Sequence, residues 1–179
     1  METWLADIYN EHRRGLYALA LSIARRPEAA EDAVHDAFAK VARLKARPDG
    51  DPVSYVFASV RNAALDGRKP KTGLAHTGQG GEDGVAHPLD FVESTRANPA
   101  LAAENAEQLT RDKARLASAL DTLASDDREI IWMRLWSNLD FKQIAEIHHE
   151  PLGTVATRYY RALAQLKKTL GKEAARETA

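Results

Sequence analysis

The stretch Leu120–Leu170, LDTLASDDREIIWMRLWSNLDFKQIAEIHHEPLGTVATRYYRALAQLKKTL, decides the fold. Ile130, Ile131, Met133, Leu135 and Trp136 mark a short helix that starts near Asp126, with Glu129 three residues on in the manner of a capping box. Ser137-Asn138 reads as a turn. Asp140 followed by Gln143 opens a second helix, with Phe141, Ile144, Ala145 and Ile147 as its apolar residues. His148 to Glu150 is a short turn, and Pro151 suits the first position of a third helix. Leu152, Val155, Tyr159, Ala162, Leu166 and Leu170 form the stripe of that helix. Two short helices, a tight turn and a longer amphipathic helix make a helix-turn-helix pattern, which a small helical bundle of any kind also shows.

Charge sharpens the pattern. Pro151 to Lys172 holds five basic residues and no acidic one, whereas Leu120 to Glu150 holds three basic and seven acidic. A helix that enters a DNA groove needs basic flanks against phosphate and short polar side chains at base edges. Thr154, Thr157, Arg158 and Arg161 lie off the apolar stripe and have that character. A solvated basic face accounts for the same charges equally well.

Upstream, Pro70 to Pro99 concentrates five of the ten glycines and three of the seven prolines without a sustained period. Residues 70–100 therefore read as a flexible linker between a unit at 1–69 and one at 101–173. A long helical stretch, about Leu101 to Leu123, opens the second unit. The first unit reads as three helices. Leu5, Ile8, His12, Leu16, Leu19 and Ile23 share one face. After Pro27 the spacing resumes with Ala30, Val34, Ala37, Phe38, Val41 and Leu44. Beyond the turn cluster Pro48 to Pro52, the residues Val53, Val56, Phe57, Val60 and Ala64 mark a third helix. With 32 Ala and 19 Leu against 14 Val plus Ile, the fold class is all-α: two small helical domains joined by a linker.

Composition excludes several functions. The chain has 179 residues and no cysteine, which removes a disulfide scaffold, a thiolate metal site and a cysteine nucleophile. No apolar run reaches the roughly 18 residues of a membrane span, and METWLADIYNEHRRG lacks the features of a signal peptide. A cytoplasmic protein without membrane insertion is expected. The histidines lack metal-ligand spacing, EIHHE is not HExxH, and GQGG has no phosphate-loop context. No cofactor, metal or catalytic set is implied, so the chain does not read as an enzyme. The net charge of −1 excludes a chain that holds nucleic acid by bulk positive charge, but not one with local basic surfaces.

Leu123, Arg128-Glu129, Arg134, Leu139, Ile144-Ala145-Glu146, Gly153-Thr154-Val155, Arg158, Arg161-Ala162 and Leu166 resemble region four of bacterial sigma factors. Ala30-Glu31-Asp32-Ala33-Val34 with Asp36 and Phe38 resembles the polymerase-binding helix of region two. Tyr55, Arg61-Asn62 and Asp66 with Arg68-Lys69 resemble its promoter-reading helix. The ordered pair is similar to the extracytoplasmic-function (ECF) group of the sigma-70 family. That resemblance implies binding to core RNA polymerase through Glu31, Asp32, His35, Asp36 and Lys40. It implies promoter contacts by Arg61, Asn62, Arg68 and Lys69 at the minus-ten element. At the minus-thirty-five element it implies contacts by Lys142, Thr154, Thr157, Arg158 and Arg161. The implied function is promoter recognition, promoter melting and transcription initiation under the control of an anti-sigma factor. The alternative is a sigma-like interaction module that binds an anti-sigma partner without reading promoters.

The sequence departs from the family pattern at the turn, where His149 occupies a position that usually holds Gly. A left-handed backbone at His149 would be strained, though His tolerates it better than most residues. Phe57 reads as core rather than as a stacking platform. Acids at Glu31, Asp32 and Asp36 also suit the helix dipole. Asp126-Asp127 reads as a helix cap.

Overall fold

A computed structural model of the chain describes residues 3–68, 87–91 and 106–177. Its first bundle contains α1 (Thr3–Ala24), α2 (Pro27–Ala42) and α3 (Pro52–Gly67). A short 3-10 turn, Pro88–Phe91, follows. The second bundle contains α4 (Ala106–Asp121), α5 (Ser125–Leu135), α6 (Phe141–His148) and α7 (Leu152–Glu177). The all-helical reading holds across the described residues.

The breaks follow from local chemistry. Arg25 takes a left-handed φ of 62°, and Pro27 then starts α2 with a fixed φ and no amide to satisfy. Asp51 caps α3 by accepting from the amides of Val53 and Ser54. Asp140 and Gln143 form the expected capping box at the start of α6. His149 ends α6 at φ 55°, ψ 39°, and so adopts the left-handed conformation in place of Gly. Pro151 lies one residue before α7, its carbonyl accepting from Thr154 and Val155. Three local expectations change. Leu44, read as part of the second helix's apolar face, lies beyond the end of α2 and is exposed. The α5 start has no side-chain cap, so neither Asp126-Asp127 nor Glu129 acts as one. Leu152 lies on the exposed side of α7 instead of in its stripe.

Phe57 is fully buried with Val56 and Val60, as a core residue should be. Trp132, Met133, Ile144 and Val155 anchor the second bundle. The two bundles also pack on each other, α1 against α5 and α3 against α6. The reason lies in α1. Gly15, Leu16 and every residue from Ala18 to Ile23 are buried, so this half of the helix is covered on all sides. At helical spacing Gly15, Ala18 and Leu21 fall on a different side of α1 from Leu16, Leu19 and Ile23, and both sides are buried. A Cβ at Gly15 would lie 2.3 Å from Ser137 Oγ, so the absent side chain admits the α5–α6 turn. His87 and Leu89, inside the stretch read as linker, are buried, with the 3-10 turn against α1 and α4 and the His87 ring 5.8 Å from that of Trp132.

Candidate nucleic-acid interface

Region-two candidates on α3 divide by exposure. Asn62 and Arg68 are exposed, whereas the Arg61 side chain is only 16% exposed. Its Nε donates to Glu129 Oε2 at 2.6 Å, and its Nη2 lies 3.4 Å from Asp126 Oδ1. Both acids belong to α5. Lys69 lies outside the described residues.

On the second bundle, Lys142, Thr154, Thr157 and Arg161 are exposed on α6 and α7. The Thr157 hydroxyl donates to the Gly153 carbonyl, which leaves its methyl free to face a ligand. Arg158 turns inward. Its Nε donates to Asp127 at 2.7 Å, its Nη1 to Glu150 at 2.6 Å, and its Nη2 lies 3.4 Å from Asp126. Burial draws the guanidinium pKa down, but the hydrogen bonds and charges of Asp127 and Glu150 outweigh it and hold the group firmly protonated. Arg161 reaches Asp127 through one nitrogen and otherwise faces solvent. Of the paired arginines on α7, Arg161 is therefore the one available for a phosphate or a base.

Glu31, Asp32, His35, Asp36 and Lys40 form an exposed face of α2. Beside it runs a groove between α1 and α2, lined by Tyr9, Arg13, Tyr17, Glu31, His35 and Phe38. Tyr9 and Phe38 meet edge to face at 5.3 Å between ring centres. An apolar floor with acids on one wall and arginines on the other suits a protein partner better than a polyanion.

Sequence reasoning missed the acids of α5 as partners. Asp127 and Glu129 are buried at 6% and 1% exposure. Burial raises the Glu129 carboxyl pKa, and Arg61 acts against that rise. His148 lies 3.9 Å from the same Glu129 oxygen and is pushed down to about 4, first by burial and then by the Arg61 charge. The available signal was the density of acids at Asp126, Asp127 and Glu129, which a capping explanation absorbs too readily. Among the described residues no group of three or more His, Asp or Glu side chains has metal-holding geometry, and no helix is long and apolar enough to cross a membrane.

Residues 8–72 match the family model of sigma-70 region 2, and residues 113–166 match that of sigma-70, region 4. The chain is 26% identical over 170 residues to the ECF RNA polymerase sigma factor SigK of Mycolicibacterium vanbaalenii, covering 93% of this chain and 81% of that protein. It is 34% identical over 95 residues to RNA polymerase sigma factor SigV of Bacillus subtilis, covering 50% of this chain and 57% of SigV. Among solved structures, CnrH in complex with the cytosolic domain of CnrY superposes with a TM-score of 0.59 at 20% identity, over 94% of this chain and 88% of that one. RpoE in complex with the anti-sigma factor NepR from Bartonella quintana superposes at 0.60 and 17% identity, over 96% and 98%. With both region models matched in order along it, the chain belongs to the extracytoplasmic-function group of the sigma-70 family of RNA polymerase sigma factors.

Proposed function

We propose that this chain is a cytoplasmic promoter-specificity subunit that directs RNA polymerase to initiate transcription and that acts by binding alone, with no catalytic step of its own. The carrying observation is that region two precedes region four in one chain, each with an exposed face of the right chemistry. The α2 face of Glu31, Asp32, His35, Asp36 and Lys40 takes the polymerase. Arg61, Asn62, Arg68 and Lys69 take the minus-ten element and its melted strand, where a basic groove holds phosphates and flat pockets hold unstacked bases. Lys142, Thr154, Thr157 and Arg161 take the minus-thirty-five element, while Arg158 orients the start of α7. An anti-sigma protein holds the factor inactive; both similar solved structures are complexes, and in one of them RpoE is bound to the anti-sigma factor NepR.

A second reading, a sigma-like module that binds an anti-sigma partner without reading promoters, draws on the ion pairs that occupy Arg158. One experiment separates the two. Core polymerase is mixed with the chain and promoter-bearing DNA, and strand opening is followed by reactivity of unpaired thymines. A promoter-specificity subunit binds core and opens DNA near the start site. A partner-only module leaves the duplex closed.

A further inference from the structure

We propose that the corner where α1 ends, α2 begins and α3 ends is a phosphate-binding site served by Arg25, Arg26, Arg68 and Arg128. Such a site stands whether or not the chain reads promoters. A cleft of about 250 Å³ opens there, lined by Ala24, Arg26, Ala29, Ala64, Gly67 and Arg68. Its walls are three alanines and a glycine, so the two arginines supply its polar side chains. Both are exposed, and neither forms an ion pair among the described residues. Arg25, beside the cleft in the chain, and Arg128 of α5 add two more guanidiniums. They share one carboxylate oxygen, Oδ1 of Asp121, with Arg128 Nη1 3.4 Å from it. Glu28 and Asp66, the acids nearest the cleft in sequence, are exposed and line none of it.

Four cations thus meet one paired acid. Arg128 is 9% exposed, and its Nε, like Nη1 of Arg25, is buried without a hydrogen-bond partner. Buried donors of this kind are rare, because each forfeits its bonds to water. The Arg128 pKa is drawn below its ordinary value, first by burial and next by the Arg25 charge, and Arg68 adds to it. Positive charge is therefore crowded at this corner beyond what the fold neutralises. The start of α2 adds to the field. Its N-cap residue, Arg26, makes no side-chain capping bond, and the first-turn amides of a 16-residue helix present partial positive charge. A phosphate group offers several oxygens to several donors at once and matches the guanidinium fork. The cleft falls short of the roughly 300–1,000 Å³ that enclose a whole small molecule. It suits instead the phosphate end of one, or a single phosphate of a nucleic-acid backbone.

Inorganic pyrophosphate is the probe, titrated into the full chain by calorimetry against sodium chloride of equal ionic strength. The wild type should bind it beyond the chloride control and gain thermal stability with it. Arg26→Ala removes a lining cation and should weaken binding about tenfold, the equivalent of one charge-assisted hydrogen bond. Ala29→Glu places a carboxylate in the cleft at the third position of α2, where an acid suits the helix dipole. It should abolish binding and raise the unfolding midpoint without ligand. Ala29→Gln, of the same size but uncharged, should weaken binding without that rise. A short DNA duplex then separates the two sources of phosphate. Displacement of pyrophosphate by the duplex assigns the site to a backbone phosphate. Pyrophosphate that stays bound beside the duplex assigns it to a free phosphate ligand. Circular dichroism checks that each variant folds, and because Arg26 is exposed, Arg26→Ala keeps the test open should Ala29→Glu unfold. Absence of wild-type binding beyond the chloride control overturns the proposal. So does equal affinity in the wild type, Arg26→Ala and Ala29→Glu, which would put pyrophosphate elsewhere on the chain.

Discussion

Gln143 donates its side-chain amide to the Asp51 carboxylate at 2.9 Å, joining the first turn of α6 to the cap of α3. Each residue also serves its own helix. Asp51 accepts from the amides of Val53 and Ser54 and from the Ser54 hydroxyl, and Gln143 closes the box with Asp140. Burial pulls the Asp51 carboxyl pKa up, but the hydrogen bonds from Gln143 and Ser54 outweigh it and leave it below the ordinary value. The start of α3 is thereby tied to α6, the helix that precedes α7.

Replacing Asp51 by Ala should cost about 1–2 kcal/mol, the usual value of a lost N-cap. Asp51→Ser should keep most of the cap and lose the bond to Gln143. Thermal unfolding of the two variants separates the contributions. The Ser variant is expected to lie between Ala and wild type.

Arg158 and Arg161 should behave differently although they are one helical turn apart. Arg158→Ala leaves Asp127 and Glu150 without their main cation and should destabilise the second bundle by about 2 kcal/mol, the scale of a hydrogen bond to a charged group. Arg161→Ala removes a largely exposed charge and should leave the unfolding midpoint nearly unchanged. It should instead weaken promoter binding and lower the magnitude of the salt slope by about 1. Denaturant titration and salt-dependent binding of the holoenzyme read the two effects.

Aromatic residues on α3 make a similar pair. Phe57 is fully buried, and its ring meets His12 at 5.7 Å. Phe57→Ala should cost about 3–5 kcal/mol in the manner of a large core deletion. Tyr55 is only partly buried, and Tyr55→Ala should cost markedly less. Urea midpoints measure both.

Folding stability should fall with acid. His148 titrates near 4 in the folded chain and near its ordinary 6.5 when unfolded, because it is buried and lies near Arg61. Below about 6.5 the unfolded chain binds a proton that the native chain does not, so stability falls as pH drops from 6.5 toward 4. The full effect is about 3 kcal/mol. A protonated imidazole would gain from Glu129, but that carboxylate already holds Arg61. Glu129, with its raised pKa, acts in the opposite sense near the lower end of the window. Urea midpoints at pH 7 and pH 5 should differ in the wild type and differ less in His148→Gln.

The helices and the helix-turn-helix were legible because they depend on local signals: spacing of apolar residues, Pro27, the Asp140–Gln143 box, and a turn demanding positive φ at His149. The joint between the bundles was not, because its parts are distant in sequence. Arg61 and Glu129 are separated by 68 positions, and neither looks unusual alone. Gly15 reads as a weak point in a helix until Ser137 is placed beside it. The run Ala18 to Ile23, apolar except for Ser22, was the available hint, since a helix on the surface of a separate three-helix unit needs only one buried stripe. Arg158 illustrates the same limit: charge and spacing mark it as a DNA contact, and only the fold places Asp127 and Glu150 around it.

If this chain gives RNA polymerase its promoter, run-off transcription with core polymerase, fragmented genomic DNA and the wild-type chain should yield discrete transcripts that require the chain, start at fixed sites, and weaken when Arg161 is replaced by Ala. The same transcripts from core polymerase with and without the chain would rule that role out.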